Sequence, residues 1–336
     1  MIKKLLLLLT LIFSLISIPA KATTCDRPYL LSSADQTKKT GTINVQVLFV
    51  KFSDSSKKSK GYTKEWINGL DLKEMNNYVK ETSYGKAKLK FHINYSWINL
   101  PNNSYNYGIQ QMTEEEENAY RDAIINASAS KVDYSKIDSI WAIPDPTLSG
   151  YYVAFRKAAQ VADKKMMMVM YNEQNAYLGV SEILHTIGLR DLYSNTSGGF
   201  GPDGGMTQFS IMSQYYGGTS ILGYEKYALG WLGGDDVICQ ESGSRTVKLS
   251  SLDSKGTKLI LLPINAQEML AIEYRKKEKR DRYLGGSGIL VYHIDNSLIN
   301  TDKGSPINPI YFGNKTNIDY AGINIKIQKN NITVSR

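Results

Sequence analysis

Val180-Ser181-Glu182-Ile183-Leu184-His185-Thr186-Ile187-Gly188-Leu189-Arg190-Asp191-Leu192-Tyr193 is the most informative stretch of the chain. The segment from Glu173 to Leu189 reads as a helix that stops at Gly188. On a helix, Ser181 and His185 stand four apart and share one face, with Glu182 beside them. Gly188 lets the chain leave the helix through a left-handed conformation. Asp191 follows six residues after His185. Glutamate, histidine and aspartate, in this order, are side chains that hold metals and move protons. Their supply is limited: among 336 residues there are three histidines (His92, His185 and His293) and two cysteines. A four-cysteine zinc site is therefore excluded, and a three-histidine site would need all three histidines to converge.

Around this helix the composition is that of a globular protein. Hydrophobic residues make up 42% of the chain and charged residues 21%, which argues against disordered, collagen-like or disulfide-dense classes. Ile43 to Phe52 (INVQVLFVKF), Leu89 to Trp97, Ile137 to Ile143 and Met166 to Met170 read as strands. Thr63 to Thr82 and Glu114 to Ala129 read as helices, the second with acids in its first turn, where they complement the helix dipole. From about Asp236 short alternating strands follow one another: Thr246–Leu249, Lys258–Leu262, Met269–Tyr274, Gly288–His293 and Ile323–Val334. The expected class is α+β. An extended segment at 23–41 leads into a domain of mixed sheet and helices at 42–235, followed by a smaller β-rich domain at 236–336.

The first 22 residues read as a secretory signal peptide. Lys3 and Lys4 precede a mostly apolar run from Leu5 to Ile18, and Pro19-Ala20-Lys21-Ala22 places small residues at the cleavage positions. Cleavage after Ala22 removes three lysines and no acids, which lowers the net charge from +8 to +5. The expected product is exported and has no stable membrane anchor. Export lets Cys25 and Cys239 pair as a disulfide. The densest basic run, Arg275 to Arg282 (RKKEKRDR), reads as a solvated hairpin connection, and no basic patch with interleaved aromatics marks a nucleic-acid partner. Asp133, Asp138 and Asp203-Gly204 are weak candidates for calcium.

The helix face is one residue away from H-E-x-x-H. In that motif two imidazoles at i and i+4 bind zinc, and the glutamate takes a proton from zinc-bound water. Here the first ligand position is Ser181, and a neutral hydroxyl is a poor zinc ligand beside imidazole or thiolate. Other stretches extend the comparison in chain order: Val47 to Phe52, Glu81-Thr82-Ser83-Tyr84-Gly85-Lys86, Ser96-Trp97-Ile98-Asn99-Leu100-Pro101 to Tyr107-Gly108, His185 to Tyr193, Phe209-Ser210-Ile211-Met212-Ser213, Lys226 to Leu232, Ile272-Glu273-Tyr274-Arg275, and Gly286 to Asp295. Together they resemble the immune inhibitor A-like zinc metallopeptidases of secreted bacterial proteins. Arg190 stands where that family's "GLPDLY" stretch has proline.

The resemblance implies a zincin or metzincin-like domain with an active-site helix, and peptide-bond hydrolysis by zinc-activated water. By position, Glu182 matches the catalytic base, His185 the second zinc ligand, Asp191 the third ligand, and Met212 the methionine of a turn that supports the metal from below. Ser181 matches the first ligand and departs from it. The expectation is therefore a metallopeptidase-family protein with weakened or lost activity. Zinc would be its cofactor and a protein or peptide its substrate or ligand. The alternatives are an active enzyme using a replacement ligand or water, and a non-catalytic binder of peptide or of surface glycans. For glycans the Tyr-rich loops at Tyr105, Tyr107, Tyr151, Tyr152, Tyr215 and Tyr216 would serve. His293 is expected to pack structurally rather than to act as a ligand.

Overall fold

The computed structural model describes residues 25, 37–55, 62–107, 113–145, 155–161, 164–170, 173–193, 206–214, 217–298 and 305–336. Residues 1–24, on which the signal peptide falls, lie outside them, as do Asp203, Gly204, Tyr151, Tyr152, Tyr215 and Tyr216. The described residues form a mixed α+β structure with three sheets and few helices. None of the described helices is long and apolar enough to cross a membrane.

The first sheet is built from β1 (Gly41–Lys51), β2 (Ala87–Asn99), β3 (Ser139–Pro144), β4 (Phe155–Val161) and β5 (Lys164–Met170), in the order β2-β1-β3-β5-β4. All neighbours are parallel except β4, which runs antiparallel to β5 at the edge. From Val45 to Val50 β1 is buried on both faces and apolar except at Gln46, as a covered strand of a mostly parallel sheet requires. Ile43, Val45, Val47 and Phe49 face the helices α1 (Tyr62–Asn68), α2 (Leu72–Thr82) and α4 (Ala176–Thr186), while Leu48 and Val50 face α3 (Glu114–Ser128).

Two sequence expectations are corrected here. The helix expected over Thr63 to Thr82 is broken at Gly69-Leu70-Asp71, because Asp71 accepts from the Glu74 N–H at 2.8 Å and starts α2 as its N-cap. The helix around His185 begins at Ala176 rather than Glu173, because Asn175 caps it by accepting from the N–H groups of Tyr177 and Leu178.

From Val237 onward the chain is almost all strand. β6 (Val237–Cys239), β8 (Leu259–Pro263), β9 (Glu268–Arg275), β10 (Gly288–Asp295) and β11 (Ile307–Gly313) form the second sheet. β7 (Ser244–Lys248), β12 (Lys315–Tyr320), β13 (Ile323–Gln328) and β14 (Asn331–Ser335) form the third. One face of the second sheet packs on the third through Ile260, Leu262, Ile272, Ile289, Ile325, Ile332 and Val334. Its other face presents Leu259, Leu261, Met269, Ala271 and Leu290 to the same core that holds Val45, Trp141 and Ile183. One apolar core thus runs across the change of architecture near residue 236. Cys25 and Cys239 form a disulfide that ties the N-terminal segment to β6.

In the basic run Arg275 to Arg282, between β9 and β10, Lys276, Lys277, Lys279 and Arg282 are exposed as expected of a solvated connection, but the other two arginines are not. Arg275 is fully buried and Arg280 nearly so, because each meets carboxylates: Glu273 and Asp281 for Arg275, Glu74 and Glu81 for Arg280.

Candidate metal centre

Helix α4 carries the candidate residues on a face turned inward. Ser181, Glu182 and His185 are all buried, at 6%, 7% and 1% exposure. The opposite face, with Val180, Ile183, Leu184 and Ile187, is anchored in the main core. Just past the helix end the chain turns at Gly188, whose φ of 114° is one that a side chain would strain. That turn brings the chain back under the helix. The Leu189 carbonyl meets His185 Nδ1 at 2.8 Å, and Asp191 Oδ1 lies 3.0 Å from His185 Nε2. The N-terminal segment closes the same helix end, where the Thr37 N–H donates to the Thr186 carbonyl at 2.9 Å.

The contact at Nδ1 sets which ring nitrogen of His185 carries hydrogen. A carbonyl oxygen only accepts, so Nδ1 carries the hydrogen. Nε2 and the Asp191 carboxyl stand at hydrogen-bond distance. Two ligands of one tetrahedral zinc would stand about 3.3 Å apart with the ion between them. At 3.0 Å, His185 Nε2 and Asp191 Oδ1 stand within a few tenths of an ångström of that separation.

Below the helix lies the turn from Met206 to Gln214. The Ser181 hydroxyl donates to Met212 Sδ at 3.8 Å, and the Leu192 N–H donates to the Met212 carbonyl at 3.0 Å. Met212 therefore touches both the first ligand position and the loop that carries Asp191. Ser181 makes no hydrogen bond to His185, so the serine, histidine and aspartate are not assembled as a nucleophilic relay, in which the hydroxyl must bond the ring. His92 and His293 are engaged elsewhere. His92 Nε2 meets Asn44 Oδ1 at 3.0 Å, and His293 Nε2 meets Glu268 Oε2 at 3.0 Å with its ring against Tyr320. Among the described residues no group of three or more His, Cys, Asp or Glu side chains is arranged to hold a metal. The donor set of one imidazole, one carboxylate and a serine hydroxyl does not fit zinc, which takes three strong protein ligands in such sites.

Of the calcium candidates, Asp133 accepts from Ser135 and pairs with Lys136, and Asp138 accepts from Asn44 and pairs with Lys38. Of the Tyr-rich loop residues, Tyr105 is 84% exposed while Tyr107 is buried against Phe52 and Tyr120.

A support network that sequence reasoning did not identify holds the Met206–Gln214 turn. Arg275 donates to the carbonyls of Phe209 at 2.8 Å and Ser220 at 3.2 Å, and is neutralised by Glu273 and Asp281. Ser210 Oγ accepts from the Met212 N–H and donates to Glu225 Oε2 at 2.8 Å, on helix α5 (Gly223–Ala228). Glu273 Oε2 accepts from the Gly223 N–H and from the Tyr292 hydroxyl. The available signal was a charged pair, Glu273 and Arg275, ending an otherwise apolar strand.

Compared with protein-family models the chain matches none, and no curated protein is similar to it at a significant level.

Proposed function

We propose that this chain is an exported metallopeptidase-type protein of the immune inhibitor A-like kind whose zinc site is degraded. In this reading it engages protein or peptide with little or no hydrolysis. The observation that carries the reading is the Ser181 hydroxyl at the first ligand position, bonded to Met212 Sδ, beside His185 and Asp191, whose Nε2 and Oδ1 stand 3.0 Å apart. The two remaining ligand-type groups stand together, and the third position offers only a hydroxyl. Losing one of three ligands costs orders of magnitude in affinity, since even an outer-shell loss costs about 10–100-fold. Glu182 keeps the place of a general base, but on this donor set no step through a metal is derived. The Cys25–Cys239 disulfide is compatible with export.

The test measures bound zinc and chelator-sensitive cleavage of casein by the purified full chain, with Ser181→His in parallel. The natural sequence is expected to hold far less than one zinc per chain and to show no chelator-sensitive cleavage. Ser181→His is expected to gain at least roughly tenfold in zinc affinity. Near-stoichiometric zinc with cleavage by the natural sequence overturns the degraded site. No zinc gain in a folded Ser181→His chain overturns the metallopeptidase reading itself.

A further inference from the structure

The face of the first sheet that packs on α3 is apolar over only part of its height. Leu48 and Val50 of β1 join Tyr120 and Ile124 of α3 in one apolar cluster, together with Ile98, Ile140 and Ala142. Lower on the same face of β1 stand Thr42, Asn44 and Gln46. They lie in parallel register with Lys88, Lys90 and His92 of β2, and residues of one parity share a face. The cluster beneath α3 does not extend to these six side chains. Lys88 and Lys90 are exposed.

The area is held in a fixed arrangement. Asn44 donates to Asp138 Oδ2 from its backbone at 2.8 Å and from its amide at 3.0 Å, and its Oδ1 meets His92 Nε2. The Gln46 amide donates to the His92 carbonyl at 2.8 Å. The carboxylate that meets this face, Asp138, is paired with Lys38 at 2.6 Å. Burial pushes that carboxyl up, but the Lys38 ammonium and the Asn44 donors outweigh it and hold it below the usual carboxylate range. Its negative charge is thus compensated locally. Lys88 and Lys90 make no ion pair among the described residues. A concavity of about 420 Å³ lies among Thr42, Asn44, Lys88, Leu89 and Lys90.

We propose that this polar part of the sheet face is a docking site for an acidic polysaccharide. Two uncompensated ammonium groups stand two residues apart on one strand, about 7 Å along it, beside the Thr42 hydroxyl and the concavity they line with it. The face is complementary to a chain that carries regularly spaced carboxylates or sulfates. A single-stranded nucleic acid would call for large aromatic platforms on which bases stack, and none of the six side chains is a Phe, Tyr or Trp.

The experiment measures binding of the full chain to dextran sulfate, with neutral dextran and an oligothymidylate of similar charge as comparators. Lys88→Gln/Lys90→Gln is compared with Lys315→Gln/Lys326→Gln, which removes the same charge from the third sheet, and melting temperatures check that both variants fold. Dextran sulfate is expected to bind with an affinity that falls as salt rises. The Lys88/Lys90 pair should weaken it by about tenfold, as loss of two ionic contacts would, while the Lys315/Lys326 pair changes it less than about twofold. Three results overturn the proposal: no binding of dextran sulfate, equal weakening by both variants, or tighter binding of the oligonucleotide than of the polysaccharide.

Discussion

Glu225 is wholly buried, and its Oε1 has no hydrogen-bond partner among the described residues. Burial pushes its carboxyl up from an ordinary 4.5 to about 7, against the Leu222 N–H and the Ser210 hydroxyl, which pull it down, while Glu273 adds to the rise and Arg275 opposes it. The native chain therefore keeps this proton over a pH range in which the unfolded chain has lost it. Between about 4.5 and 7 the native state binds more protons, so the stability this group supplies falls as pH rises through that window. The displacement corresponds to on the order of 3 kcal/mol. Replacing Glu225 by Gln should remove that loss. In urea titrations at pH 5 and pH 7.5, the natural chain should lose more stability than Glu225→Gln between the two. Equal losses in both would show that the carboxyl is ionised throughout. Single residues were unequally legible in sequence. The face shared by Ser181 and His185 follows from spacing alone, whereas the bond from His185 to Asp191 depends on how Gly188 turns the chain. Nothing in the neighbourhood of Glu225 announces that its carboxyl is sealed off.

At the scale of elements, β9 has the largest reach. Its end supplies Arg275, which fastens the Phe209 and Ser220 carbonyls while balancing Glu273 and Asp281. A strand of the second sheet thereby positions the turn beneath α4. Removing the guanidinium would leave two buried carboxylates and two carbonyls without their donor. Breaking a buried ion pair from one side costs about 3–5 kcal/mol, so Arg275→Met should lower unfolding stability by that amount. Lys315→Met, on an exposed strand position, should stay within about 0.5 kcal/mol. Adding Glu273→Gln and Asp281→Asn to Arg275→Met should recover part of the loss. A cost below about 1 kcal/mol for Arg275→Met would mean that the network does not hold the turn. Elements with strong apolar pattern, such as β1, β8 and β9, were readable from sequence. The strand expected over Ile323–Val334 is instead two, β13 and β14, reversed at Lys329, whose φ of 56° marks the turn. β4, β11 and β12 carried too little apolar alternation to be read. β4 (FRKAAQV) is mostly polar or small, and β12 (KTNIDY) is an edge strand with exposed polar positions.

Over the whole molecule, sequence reading gave the two architectures but not their shared core. The apolar run of Ile43–Phe52 and the strand series after Asp236 were each visible. That Leu259, Leu261 and Met269 pack in the same core as Val45 and Ile183 is a matter of tertiary contact, which no local pattern encodes. The disulfide acts at this scale too. It joins positions 214 apart in sequence, linking the segment that reaches the end of α4 at Thr37 to the edge of the second sheet. In the chain-entropy account, closing a loop of that length restricts the unfolded chain by about 5 kcal/mol, and removal of native disulfides commonly costs about 2–5 kcal/mol. Cys25→Ser/Cys239→Ser should therefore unfold at markedly lower urea concentration than the natural chain. Because one core spans both architectures, both proteins should still unfold in a single step. Reductant should lower the midpoint of the natural chain to that of the variant and leave the variant unmoved. A variant as stable as the natural chain, or two separate transitions in the natural chain, would break the argument that the disulfide and the common core make the described sheets one cooperative unit.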